Sequence, residues 1–318
     1  MSAPGETPRW RRALSVGFLV AGAALLGWLV WDAGPAVVGR AVLGAGAWLP
    51  LILLFDAGWF VGEGLAHRLL LEDDAAKMPP GALVRANLAA FAFVALAPLG
   101  KAGAEIARAL AVARHVGGPR AAAAAANVQA ASLLGNALVS VPCALAVFAT
   151  LGPGSVLPWL VVGNGLVTLT LGGSAAVVAR RGRLGDRTAR RVAALEVDGP
   201  RLDQALRVRR ATFARAVAVT FAARLSQAAQ YGVLLVAVGG AATVGGALAT
   251  QGVHLVGAGV GDFVPGQLGV VEGAYRVFAE ALALEPAAAV GVGLLARASS
   301  WILAALALLG LSVTRRST

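Results

Sequence analysis

Lys101, Glu105, Arg108, Arg224, Glu272, Arg276 and Arg297 lie in or beside long apolar stretches, and Asp56, Glu63 and Asp262 join them. A charge near the centre of a bilayer costs at least ~2.5 kcal/mol on insertion scales, so each must pair or line a hydrated path. Asp56 and Glu63 are seven residues apart, two helical turns, and share one face. Arg224 is followed by Gln227 and Gln230, and Asn127 and Asn136 give their own segment a polar edge. A structural ion pair or a snorkelling side chain is a sufficient account of any one of these residues. Taken together they describe a cavity with both signs of charge, suited to a zwitterionic or anionic amphiphile. Lys101, Arg108, Arg276 and Arg297 are the candidates for holding its phosphate, with Glu105 and Glu272 orienting them or relaying protons. Asp56, Glu63, Arg224 and Asp262 are the candidates for proton or ion coupling.

The elements that must position these groups are membrane helices. The chain has 318 residues, 58% of them hydrophobic and only 14% charged, with a mean hydropathy of +0.76. Several runs of about 20 residues are nearly free of charge, the length needed to cross ~30 Å of hydrocarbon. A soluble enzyme, a disordered chain and a disulfide scaffold are thereby excluded, and an all-α polytopic membrane protein is expected, with residues 1–318 as one integral membrane domain. The net charge of +11 is concentrated: ten of the 27 basic residues fall in 180–210. Such a loop reads first as a signal that keeps it cytoplasmic, and nucleic acid is not an expected partner. A second role for it is attracting anionic lipid, at roughly 1 kcal/mol per basic residue near the surface. Cys143 is the only cysteine, and His67, His115 and His254 lack ligand spacing, so no disulfide, metal site or cofactor is expected.

Strong spans are expected at 13–31, 46–64, 121–149, 156–179, 212–238 and 287–313. Arg9, Arg11 and Arg12 hold the N-terminus in the cytoplasm, as Arg315 and Arg316 do the C-terminus, and 25 Arg against 2 Lys suggest a GC-rich bacterial genome, so a bacterial inner membrane is expected. The weaker regions 84–116 and 240–285 must then each cross an even number of times. The first offers about 14 apolar residues, Asn87 to Gly100, or some 21 Å of helix, too short to span. Two re-entrant hairpins are expected, one entered from each side, with full helical pairs as the alternative. This divides the domain into halves at about 10–179 and 211–313, joined by the basic loop.

The hairpin tips are alike. Ala97-Pro98-Leu99-Gly100-Lys101-Ala102-Gly103-Ala104-Glu105 and Val264-Pro265-Gly266-Gln267-Leu268-Gly269-Val270-Val271-Glu272 both place Glu seven residues after Pro, with glycines between and an Arg, Arg108 or Arg276, soon after. Pro98 and Pro265 break the helix, and Gly100, Gly103, Gly266 and Gly269 let the chain turn. Inverted repeats with broken helices at mid-membrane depth are how many transporters build a site open to either side.

The first tip with its continuation to His115, and more specifically DFVPGQLGVVEGAYRVFAEAL with LLARASSWILAALALLG downstream, resemble the signature regions of the lysylphosphatidylglycerol synthase transmembrane family. The family pattern falls on Pro98, Gly100, Glu105 and Arg108, and on Pro265, Gly266, Gly269, Glu272 and Arg297. Two departures stand out: Ala104 separates Gly103 from Glu105, and Val128-Gln129-Ala130-Ala131-Ser132 carries no charge where an Arg and an Asp are expected. The resemblance implies translocation of a lipid between leaflets. With the chain ending at Thr318, no aminoacyl-transferring domain is expected after the membrane region. No phosphate-binding Gly-Lys-Ser/Thr loop and no Gly-x-Ser-x-Gly elbow is present, so the protein is expected not to be an enzyme, and it would either draw on an ion gradient or act as a passive scramblase. Two other readings stay open: a membrane-embedded transferase acting on a polyprenyl lipid, glycolipid or hopanoid with Glu105 or Glu272 as base, and an accessory subunit bound to a lipid-biosynthetic enzyme. Expected partners are a membrane lipid, such an enzyme, or a second copy of the chain.

Overall fold

A computed structural model of the chain describes residues 24, 26–32, 34–96, 100–181, 198–261, 264 and 267–315. They are helical with short connections, and no strand occurs among them. The helices are α1 (residues 26–32), α2 (Pro35–Gly44), α3 (Leu49–Leu70), α4 (Pro80–Leu96), α5 (Gly100–Val116), α6 (Gly118–Leu151), α7 (Val156–Arg181), α8 (Gly199–Leu206), α9 (Arg210–Ala237), α10 (Val244–Gly261), α11 (Val270–Val277) and α12 (Pro286–Arg315). Four segments, Val42–Leu70, Gly118–Leu151, Val156–Arg181 and Pro286–Gly310, are long and apolar enough to cross a membrane. They coincide with four of the six expected spans. α9 coincides with a fifth and at 28 residues is long enough to cross, but carries Arg210, Arg215 and Arg224. Of the expected first span, 13–31, residues 24 and 26–31 are described, and they are helical.

The interrupted regions form shorter helices. α4 and α5 have 17 residues each, about 25 Å of helix, and pack on one another as a hairpin. α4 begins at Pro80, four residues ahead of the expected region 84–116, and Pro fits the first turn of a helix, where its missing N–H costs nothing. The second hairpin is unequal: α10 has 18 residues, whereas α11 has 8 and gives way to a 3-10 turn at Glu280–Leu282. The turn residues Pro98, Pro265 and Gly266, together with Asp262, lie outside the described residues.

The helix contacts follow a two-fold exchange. α4 packs on α12 as α10 packs on α6, and α5 packs on α6 as α11 packs on α12. α3 and α9 are each other's counterparts and make the central crossing, one of the two largest helix–helix contacts in the fold. Gly58 and Gly62, one turn apart on α3, face Ser226 and Ala223 of α9. A Cβ at position 62 would stand 2.5 Å from that of Ala223. Small residues let backbones approach closely, which matters where lipid supplies no hydrophobic drive between helices.

The two ends of the bundle differ. At one, Arg120 donates to the Leu71 carbonyl (2.8 and 3.1 Å), to the Ala205 carbonyl (3.0 Å) and to the Glu72 carboxylate (3.0 Å). Glu72 also accepts from the backbone N–H of Arg209 (3.0 Å) and holds a left-handed backbone (φ 51°). Partial burial alone raises the Glu72 pKa, but the Arg209 N–H and the two guanidinium groups outweigh it and hold the carboxyl below its ordinary value. This clamp ties the α3–α4 connection to the starts of α6 and α9, so the first hairpin opens at the basic end. The opposite end carries exposed Trp28, Trp31, Trp48 and Trp159, residues enriched at membrane interfaces. The flanks are apolar and exposed, as at Leu145, Leu166, Val177 and Leu309, while carboxylates and guanidinium groups are buried. That is the distribution of a protein solvated by lipid.

If the α3–α9 crossing organises the fold, Gly62→Leu should abolish recovery of folded, monodisperse protein in detergent, whereas Gly163→Ala, where a new Cβ meets nothing within 4 Å, should change stability by no more than about 1 kcal/mol. Size-exclusion chromatography and thermal unfolding separate the two, and a well-folded Gly62→Leu protein would contradict the packing.

Candidate functional site

A cleft opens between α3, α4, α5 and α6. Its polar wall is made by Glu63, Glu105, Arg108 and Gln129, and its apolar wall by Trp59, Phe60 and Phe91. The aromatic wall is held edge to face, with Phe60 and Phe91 ring centres 4.9 Å apart. The cleft has about 350 Å³ of space, counting what is continuous with the exterior, of which about 20 Å³ is wide enough for the centre of a water molecule. In this conformation it admits water.

Arg108 is buried against this cleft at 5% exposure. It donates to Glu105 Oε1 at 2.7 Å, one turn away on α5, and to Asn87 Oδ1 at 3.0 Å on α4. Asn87 donates in turn to the Phe60 carbonyl at 3.2 Å, so the hairpin is fastened to α3 through one amide. Beneath the cleft the chain of polar contacts continues across the central crossing. Ser132 donates to Glu63 (2.9 Å) and accepts from Arg224 (3.2 Å); Arg224 also donates to Gln227 (2.8 Å) and lies 3.9 Å from Glu63. The Arg224 guanidinium sits 5.7 Å from the centre of the Trp59 ring, a favourable cation–π distance. Two turns along α3 from Glu63, Asp56 accepts from Ser299 (3.0 Å) and Ser300 (3.4 Å) of α12, and Gln230 of α9 donates to Ser299 (3.2 Å).

The second hairpin holds a different arrangement. Glu272 is fully buried in the first turn of α11; Oε1 accepts from Arg297 Nε of α12 (2.6 Å) and Oε2 from the Gly269 N–H (3.0 Å). Arg297 also donates to the Gln267 carbonyl (3.2 Å). The carboxylate thus satisfies an orphan N–H at the start of a helix, where the dipole favours negative charge. Gly269 takes φ 75°, which only glycine adopts without strain. Nearby, Tyr231 and His254 share a 2.6 Å hydrogen bond, and Tyr275 donates to the Thr250 carbonyl (3.1 Å).

A model of the lysylphosphatidylglycerol synthase transmembrane region matches residues 14–307. The chain belongs to that family. Both buried ion pairs and the network between them lie inside the matched range, and membership ties the chain to membrane-lipid biology. No curated protein sequence matches it.

Against this geometry the predicted residues divide. Glu105, Arg108 and Glu63 come together at the cleft, Arg224 joins them through Ser132, and Glu272 and Arg297 form the second pair. Arg276 does not join that pair. It makes a salt bridge with Asp32 and lies over the Trp28 ring at 5.3 Å, fastening α11 to α1. The likeness of the tips therefore stops at the glutamates: Arg108 answers its own helix's Glu, whereas Arg276 turns outward and Arg297 of α12 takes its place. Helix phase accounts for part of the difference, since Glu105 stands in the second turn of α5 and Glu272 in the first turn of α11. Gly100 opens α5 and Gly103 is buried within it; the Lys101 side chain lies outside the described residues. Residues not singled out from sequence include Asn87, Ser132, Ser299 and Ser300, uncharged partners of the buried charges. Ser132 and Gln129 sit in the very segment that lacks the expected Arg and Asp, and they supply that position with weaker polar groups.

Removing one partner of a buried pair leaves an uncompensated charge. Arg297→Ala should therefore cost about 3–5 kcal/mol, and the double variant Glu272→Gln/Arg297→Ala should recover much of that loss, read by thermal unfolding in detergent. Losses that simply add would show that the pair is not a unit.

Proposed function

We propose that this protein moves a phospholipid or related amphiphile between the leaflets of a bacterial inner membrane, its headgroup passing through the polar interior while the acyl chains stay in lipid. The observation that carries the reading is the cleft at the first hairpin: a guanidinium and two carboxylates face an aromatic wall, under a pair of helices about 25 Å long. A phosphate entering there would take Arg108, which now rests on Glu105. The two-fold exchange of helix contacts supports alternating access, because the second hairpin presents its own carboxylate–arginine pair from the other half. In this reading the basic end faces the cytoplasm, with both termini, where Lys and Arg are retained during insertion.

The transferase reading is less favoured by the same contacts. Its candidate bases, Glu105 and Glu272, both accept from arginine, so lone pairs that a base would use are already engaged. We therefore propose transport rather than catalysis.

Proteoliposomes carrying fluorescent phosphatidylglycerol, with reducible label in the outer leaflet, test this directly. Wild-type protein should accelerate exchange between leaflets, and Arg108→Gln should slow it at least tenfold, a loss of about 1.4 kcal/mol in the transition state. Unchanged sidedness of phospholipid, glycolipid and hopanoid probes, with or without a pH gradient, would remove the reading.

A further inference from the structure

His67 takes no part in the networks above, although it is fully buried in α3. Neither of its ring nitrogens has a hydrogen-bond partner among the described residues. A neutral imidazole has one donor and one acceptor, and each polar group buried without a partner costs about 1–3 kcal/mol, so such a site calls for an explanation. Its place on the helix supplies one. Asp56, Glu63 and His67 are spaced seven and four residues apart, so all three fall on one buried stripe of α3, about 16 Å long at 1.5 Å per residue.

The charges around this stripe come from several helices. α5 brings Arg108 close enough for its charge to act on the His67 ring, with Glu105 bound to that arginine. α9 brings Arg224 and α6 brings Ser132 to Glu63, one turn away. α4 brings the uncharged Asn87, packed at Gly64 and bonded to Arg108. The α4–α5 hairpin that roofs the cleft thus also carries a cation whose charge reaches His67.

We propose that His67 binds the proton that accompanies an anionic headgroup into the cleft, so that lipid entry and proton uptake are one event. This deepens the transport reading and rests on it. With the hairpin closed, the His67 ring is buried away from water, and a charge there would have no hydrogen-bond partner among the described residues. A phosphate that binds Arg108 adds negative charge at the same place, and the hairpin movement that admits it brings water to the ring. His67 then takes a proton from that water and becomes an imidazolium beside the phosphate.

The test is calorimetric titration of dihexanoyl phosphatidylglycerol into the full chain in an uncharged detergent at pH 5.5 and 8.0, in buffers of different ionisation heat. Binding should be at least about fivefold tighter at pH 5.5, with close to one proton taken up per lipid near pH 6.5, and in His67→Gln the ratio between the two pH values should fall to about one. Equal wild-type affinity at both pH values without proton uptake overturns the proposal, as does a pH dependence that survives in folded His67→Gln, since it would belong to the carboxylates. Absence of binding at either pH removes the cleft reading itself. Should His67→Gln not fold, ¹³C spectra of histidine-labelled wild type decide: one of the three histidines should become protonated on lipid addition at pH 7, and no change in any of them rejects the assignment.

Discussion

The close crossing of α3 and α9 is the contact on which the rest of the interior depends. Gly58 and Gly62 meet Ser226 and Ala223 there, and the near contact of the two backbones places Glu63 within 3.9 Å of Arg224. Hydrocarbon makes this pairing compulsory, because a charge left alone at that depth costs several kcal/mol. The small residues and the ion pair are therefore two parts of one constraint. A larger side chain at position 62 would push the helices apart and leave both charges uncompensated, so packing and electrostatics fail together.

From that crossing the polar groups spread toward both hairpins, and the hairpins answer differently. At the first, Glu105 and Arg108 lie on one helix, so the pair travels with the hairpin and leaves a cleft open to the exterior. At the second, Glu272 and Arg297 lie on different helices, and Arg297 also holds the Gln267 carbonyl of the turn, so the pair fastens the hairpin to α12. In the proposed transport these are the two halves of an alternating site, one with its ion pair on the hairpin alone and one with its pair shared with α12. The asymmetry lies in a few contacts, while the helix packing around them is paired. Asp56, bonded to Ser299 and Ser300 of α12, links the central helix to the second half.

Much of this fold is legible in the sequence because lipid imposes simple rules. Runs of about 20 residues poor in charge located α3, α6, α7 and α12, and the parity of basic loops required the α4–α5 and α10–α11 regions to turn back. The burial of Asp56, Glu63, Arg108, Arg224 and Glu272 was legible for the same reason: so few charges stand in apolar sequence that each marks the interior. Pairing was not legible. Arg276 and Arg297 are equally plausible partners for Glu272 by composition, and only the packing of α12 against α11 chooses Arg297. Ser132, Ser299 and Asn87 were missed because short uncharged polar residues are common in membrane helices and carry no distinctive spacing. His67 looked isolated along the chain and became informative only when burial showed it on the stripe of Asp56 and Glu63.

The central claim is that the cleft beside Arg108 receives a lipid headgroup. The most direct measurement is an experimental structure of the full chain in nanodiscs containing phosphatidylglycerol. The account predicts a phosphate bonded to Arg108, with the α4–α5 hairpin displaced from α3 and the glycerol headgroup against Trp59. Lipid found only on the outer apolar flanks, with Arg108 still held by Glu105 and Asn87, would contradict it.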